Sequence, residues 1–177
     1  MSDDTIDELF SLSEKEYGPD YKDKIFEQYK LFLQMIDSLT HRRTIANNFF
    51  LSINTGLLAA FGLLMQLETI SFSSNSIWIL GVSAAGILFS YSWFRTVKSY
   101  KQLSTVKWNI ILKLEQILPL KIHEVEWKLL GEGKDSSKYK QLTAVESIIP
   151  FIFIAIYALL ILIFLITFIQ SLITVEG

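Results

Sequence analysis

The chain has 177 residues, of which 51% are hydrophobic and only 19% charged, with a net charge of −2. Soluble domains carry about 25% charged residues, so this composition points away from a water-soluble globule and from disorder, and it leaves no basic field for nucleic acid. There are no cysteines, which excludes disulfide scaffolds, thiolate metal sites and cysteine nucleophiles.

Residues 1–20 are polar and acidic and are expected to form a mobile N-terminus. From Tyr21 the pattern turns helical. Ile25, Tyr29, Phe32, Leu33, Met35, Ile36 and Leu39 recur at helical spacing, and no Pro or Gly interrupts residues 21–55. This predicts a cytoplasmic amphipathic helix over 21–45 that continues into a first span at 46–67. Residues 49–67 hold no charge in 19 positions. A short loop, 68–76, leads to a second uncharged block of 18 residues at 77–94. A helical segment over 95–147 follows. Its apolar stripe is Leu103, Val106, Ile110, Ile111, Leu114, Ile117 and Leu118, and Pro119 is expected to end it. If helical throughout, residues 77–118 would make a rod of about 60 Å, twice the apolar thickness of a bilayer. Gly131 and Gly133 mark a helix stop and turn. Thr143 and Glu146 have capping-box spacing. The third block, 148–169, has 22 residues with only Tyr157 and Thr167 as polar members. Pro150 should kink the helix there. A tail, 170–177, closes the chain.

A bilayer core needs roughly 20 apolar helical residues to cross it, and all three blocks reach that length. Of the 16 Lys and Arg, six precede the first block and ten lie between the second and third. By the positive-inside rule the N-terminus and 95–147 are cytoplasmic, while 68–76 and the C-terminus are external. No signal peptide is expected, so the first span would serve as its own uncleaved insertion signal. Trp78, Tyr91, Trp93 and Phe94 lie near the ends of the second block, where aromatic rings favour the headgroup level. The expected fold class is an all-α integral membrane protein of the cytoplasmic membrane. It has three transmembrane helices with long cytoplasmic helical extensions.

Residues that carry chemistry are few. The two histidines are His41 and His123. His41 beside Arg42 and Arg43 suits either anionic headgroups or a solvated interface. His123, Glu124 and Glu126 do not share one helix face, so no metal or cofactor is expected. No phosphate loop, nucleophile elbow or HExxH motif is present, and no ionisable residue falls inside a span. The spans do carry packing signals: Ser52, Gly56 and Ala60 recur every four residues, as do Gly81 and Ala85. An amide in hydrocarbon needs a partner, so Asn54 should form an interhelical hydrogen bond or line water. Asn48 and Thr55 are further pore candidates. Leu103, Ile110, Leu114 and Trp127 are the expected cytoplasmic assembly contacts.

Several residues stand together in order: Asn48, Phe49, Phe50, Asn54 and Thr55, then Trp93, Ser99, Tyr100, Leu103 and Lys107. After them come Glu115, Leu118, Pro119, Glu126 and Trp127, then Leu130, Gly131, Glu132, Gly133, Tyr139, Thr143, Glu146 and Pro150. In this order and spacing, residues 45–157 resemble the RipA family of small prokaryotic octameric membrane proteins. The resemblance implies a homo-octamer in the cytoplasmic membrane, and it carries over no catalytic residue or ligand.

The leading functional expectation is a non-enzymatic homo-oligomer, octameric as the resemblance implies, acting as a ring-like membrane scaffold. Its partners would be itself and membrane lipids, with no nucleic acid. The alternatives are a channel or pore built on that ring, and a membrane-tethered adaptor or stress sensor whose 95–147 segment recruits an unknown cytoplasmic protein.

Overall fold

The computed structural model describes residues 9–66, 72–135, 137–139 and 145–176. Every regular element among them is helical. These are α1 (Glu14–Tyr17), α2 (Tyr21–Gln66), α3 (Phe72–Glu115), α4 (Ile122–Leu129), a 3-10 turn (Gly131–Gly133) and α5 (Ile149–Glu176).

Local sequence explains where these helices stop. The 46 residues of α2 meet their first glycine only at Gly56, so an unbroken hydrogen-bond ladder forms through both its polar and its apolar half. α3 ends at Glu115, four residues before Pro119. A proline has no N–H for the carbonyl at i−4 and its ring crowds that carbonyl, so the ladder cannot pass Glu115. Past α4, Gly131, Glu132 and Gly133 all take positive φ, at 72°, 54° and 70°. Only glycine adopts that region freely, which is why two of the three are glycine. Pro150, expected inside a helix as a kink, instead falls in the first turn of α5. There its missing N–H has no helical acceptor to lose, so it marks the start of the helix without bending it. Residues 67–71 and Thr143 lie outside the described residues. Residues 72–76, expected in the loop, and 170–176, expected in the tail, belong to α3 and α5.

The chain divides into two compact units. The first comprises Met1–Arg42 and Tyr100–Gln141. Its core is Ile25, Tyr29, Ile36, Ile111 and Leu114, with Phe10, Phe32, Leu33, Ile110 and Leu118 packed around it. Most of the two helical stripes read from the sequence thus bury on each other within one chain, and Phe10 of the acidic N-terminal segment docks on them. Met35, Leu103 and Ile117, expected in the stripes, stay exposed.

The second unit comprises Arg43–Ser99 and Leu142–Gly177. Its core is Trp93, Val97, Phe153 and Tyr157, flanked by Phe50, Leu58, Ile87, Ile149 and Leu160. Here the usual pattern is inverted. Asn54, Ser83 and Ser90 are fully buried, while Leu63, Trp78, Leu88, Leu159 and Ile173 are more than half exposed. Among the described residues one stretch, Ile149–Ser171, is long and apolar enough to cross a membrane, with mean hydropathy 3.1. The blocks at 49–67 and 77–94 fall inside α2 and α3. Trp93, expected at the headgroup level, is 2% exposed. It lies on the α3 face that also carries Ser83, Gly86, Ser90 and Val97, and that face turns inward.

Candidate functional site

In the second unit several polar side chains tie helices together, although the buried Ser83 hydroxyl has no hydrogen-bond partner among the described residues. Asn54 on α2 accepts a hydrogen bond from Ser90 Oγ of α3 through Oδ1 at 2.9 Å. Its Nδ2 donates to the Phe50 carbonyl at 2.9 Å, and its own backbone carbonyl accepts from Tyr157 Oη of α5 at 3.1 Å. One asparagine therefore links three helices with both side-chain polar atoms satisfied, as an amide in an apolar interior requires. About two helical turns before Asn54, Asn47 Oδ1 accepts a hydrogen bond from Trp93 Nε1 at 2.9 Å. Phe50 stacks on the Trp93 ring with centroids 6.1 Å apart and planes 10° from parallel. Arg43 and Glu146 form an ion pair at 3.5 Å, with side chains 17% and 16% exposed.

The close helix approach falls at Gly86, a position the four-residue spacing missed. A Cβ there would overlap the Tyr157 ring. Ser52, Gly56, Ala60 and Gly81 are exposed, Ala85 is half-buried, and a Cβ at Gly56 or Gly81 would meet open space. Asn48 and Thr55 are exposed too. Thr55 Oγ1 donates to the Leu51 carbonyl of its own helix at 2.8 Å. The signal for the true contact face was present as Ser83, Gly86, Ser90 and Trp93, small residues and one ring at i, i+3, i+7 and i+10.

The first unit holds a buried carboxylate. Glu115, the last residue of α3, is fully buried. It accepts hydrogen bonds from the backbone N–H of His123 at 3.0 and 3.1 Å and of Glu124 at 3.1 Å. Tyr29 Oη donates to its Oε1 at 3.0 Å, and His123 Nδ1 lies 2.7 Å from the same oxygen. A carboxylate only accepts, so the His123 proton sits on Nδ1. The amides of His123 and Glu124 belong to the open first turn of α4, which has no side-chain cap of its own. Glu115 caps it from the preceding helix, with its charge at the positive end of the α4 dipole.

Burial pushes the Glu115 carboxyl up. The His123 amide and ring, the Glu124 amide and the Tyr29 hydroxyl together outweigh that and hold it below the usual carboxylate range. Burial, then the bond to Glu115, pushes the Tyr29 phenol up to about 12. The Trp108 ring packs on His123 with centroids 5.1 Å apart. Beside Tyr29 lies an open groove of about 560 Å³ whose apolar wall includes Ile25, Phe26, Leu118, Pro119 and Leu120. Of the expected assembly contacts, Leu114 is buried and Ile110 packs on the core. Leu103 is exposed, and Trp127 meets Tyr139 edge to face at 6.4 Å. The sequence reading placed Tyr29 in an apolar stripe but not its bond to Glu115, because that contact joins residues 86 apart.

A unit with polar interhelical ties inside, bare apolar side chains outside and one helix long and apolar enough to cross a bilayer has the pattern expected of a helical membrane protein. The Octameric membrane protein family (8xMP) matches residues 26–166, and the chain belongs to that family. Membership makes it an oligomeric membrane protein, of the kind the sequence resemblance implied. No curated protein and no solved structure matches the chain.

Proposed function

We propose that this protein is a non-enzymatic scaffold of the cytoplasmic membrane, assembled from eight copies into a ring. The blocks at 46–67, 77–94 and 148–169 each cross the bilayer. Residues 1–45 and 95–147 stand in the cytoplasm, and the C-terminus is external. The observation that carries this reading is the inside-out second unit. Asn54 uses its polar atoms on Ser90, Phe50 and Tyr157 while Leu63, Leu88 and Leu159 remain bare. Lipid is the solvent in which that arrangement is favourable, because apolar side chains lose nothing by facing it and buried polar groups must find partners. The acid–imidazole–phenol cluster of the first unit supports a structural role: Glu115 spends both oxygens on capping α4.

The test combines topology with mass. Single cysteines placed at residues 2 and 177 of the cysteine-free chain should react with an impermeant maleimide from opposite faces of the membrane. Light scattering in detergent should give the mass of eight copies. Reaction from one face, or a monomer mass, defeats the proposal.

A second reading is favoured by the open groove beside Tyr29, whose exposed apolar wall suits a segment of another protein. In it the cytoplasmic segment is an adaptor, and a protein cross-linked to Phe26 in cells but lost on Phe26→Glu would support it. A pore is the weaker reading, since Asn54 is engaged within the chain and Thr55 bonds its own helix.

A further inference from the structure

On the first unit, apolar strips on α4 and α2 remain open in addition to the groove beside Tyr29, which Ile122 also lines. On α4, Ile122, Val125 and Leu129 recur at i, i+3 and i+7 and so share one helix face. They are 59%, 52% and 74% exposed. On α2, Leu31 and Met35 are 60% and 53% exposed. At about 100° per residue, Leu31 and Met35 lie roughly 140° and roughly 100° around α2 from Ile25, Tyr29 and Ile36, which face the core, and so occupy its flank. Contiguous apolar strips, unlike single exposed apolar residues, mark interaction sites. The α4 strip is also held in place: the Glu115 carboxylate fixes the first turn of its helix, and Trp108 packs on His123.

Charge decides between a lipid surface and protein as the cover. Lys121 and Lys128 both pair with Glu124, at 3.5 and 2.6 Å, and Lys134 pairs with Glu132 at 2.6 Å. With Glu126 also on the helix, α4 offers no surplus positive charge to anionic headgroups, whereas interfacial helices are rich in lysine and arginine. A second copy of the chain meets the need. The family assembles as octamers. A head-to-tail contact between two unlike patches is the kind that closes into a ring. Each copy carries one such patch on α4 and another on α2.

We infer that the Ile122–Val125–Leu129 strip of one copy packs against the Leu31–Met35 strip of the next. This rests on the proposed self-association and on the cytoplasmic placement of both strips. It moves the assembly face away from Leu114, which is buried in the chain's own core, and Ile110, which packs against that core. The contact is apolar on both sides, so it survives high salt.

The chain has no cysteine, so introduced pairs report without background. Full-length protein carrying Leu129→Cys with Leu31→Cys, or Leu129→Cys with Met35→Cys, is oxidised in its native membranes. A ladder of disulfide-linked multimers from at least one pair, absent from each single variant, is the expected result. Assembled protein that gives no ladder with either pair overturns this contact while leaving self-association intact. A particle of monomer mass removes self-association as well. In a second measurement that requires no cross-link, the Leu129→Cys single variant should lose maleimide labelling on assembly and regain it on dissociation. Equal labelling in both states overturns the inference. So does protection of the dissociated protein by phosphatidylglycerol vesicles alone, which would assign the strip to lipid.

Discussion

The Tyr157 ring of α5 fills the space that a side chain at Gly86 of α3 would occupy. That contact lets the Tyr157 hydroxyl reach the Asn54 carbonyl on α2 at 3.1 Å. A methyl group at residue 86 must push the ring away and break the bond. Gly86→Ala is therefore expected to destabilise the second unit by about 1–3 kcal/mol, the usual cost of overpacking. In a Tyr157→Ala background the same substitution should cost much less, because the clash is gone. Unfolding of the four proteins in detergent, followed by tryptophan fluorescence, measures that coupling.

Asn54 and Ser90 act as a pair. Ser90→Ala leaves Asn54 Oδ1 without its 2.9 Å donor, and interhelical bonds of this kind contribute about 0.6 kcal/mol in membranes. Asn54→Leu should cost about 1 kcal/mol or more, since it also disturbs Phe50 and leaves Ser90 unpartnered. The double variant should fall short of the sum, and the same unfolding assay detects the shortfall.

Glu115 holds α4 to the end of α3. Glu115→Ala strands the amides of His123 and Glu124 and the hydroxyl of Tyr29 together, at an expected cost of about 3 kcal/mol. Tyr29→Phe removes one donor and should cost about 1 kcal/mol. Hydrogen exchange at the amides of residues 123 and 124 should rise sharply in the first variant and slightly in the second.

The pH dependence follows from the same group. The fold holds the Glu115 carboxyl below its ordinary value of 4.5, so at acid pH the unfolded chain binds the extra proton. The contribution of Glu115 is complete above pH 4.5 and fades as pH falls through the lower, folded value. Glu115→Gln should flatten that acid limb of the stability curve.

Tyr29 behaves in the opposite sense. Burial and the Glu115 bond raise its phenol from 10.0 to about 12, so its contribution is complete below pH 10 and lost as pH climbs to about 12. Alkaline titration of tyrosine absorbance should lose a component near pH 12 on Tyr29→Phe and keep the rest.

Period and composition carry through sequence alone because they are local. The apolar faces of α2 and α3 around Ile25, Tyr29, Ile36, Ile111 and Leu114 were legible as 3.6-residue repeats, and they bury as a single core. The end of α3 was legible in Pro119, since the proline forbids the bond to the residue 115 carbonyl. The small-residue spacing was misleading about contacts inside the chain. Gly56 and Gly81 satisfy it and face open space, whereas Gly86 lies under a ring. Spacing tells which residues share a face and says nothing about which face meets a neighbour.

The sequence by itself determined that the chain is helical, where its apolar blocks lie and how its cations are distributed, because backbone propensity and hydropathy act over a few residues. Only the tertiary structure decided that Trp93 turns inward, that Asn54 meets Ser90 and Tyr157, and that Glu115 caps a helix beyond it. Each of those depends on side chains far apart in the chain arriving within hydrogen-bond or van der Waals range, and no local pattern encodes that distance.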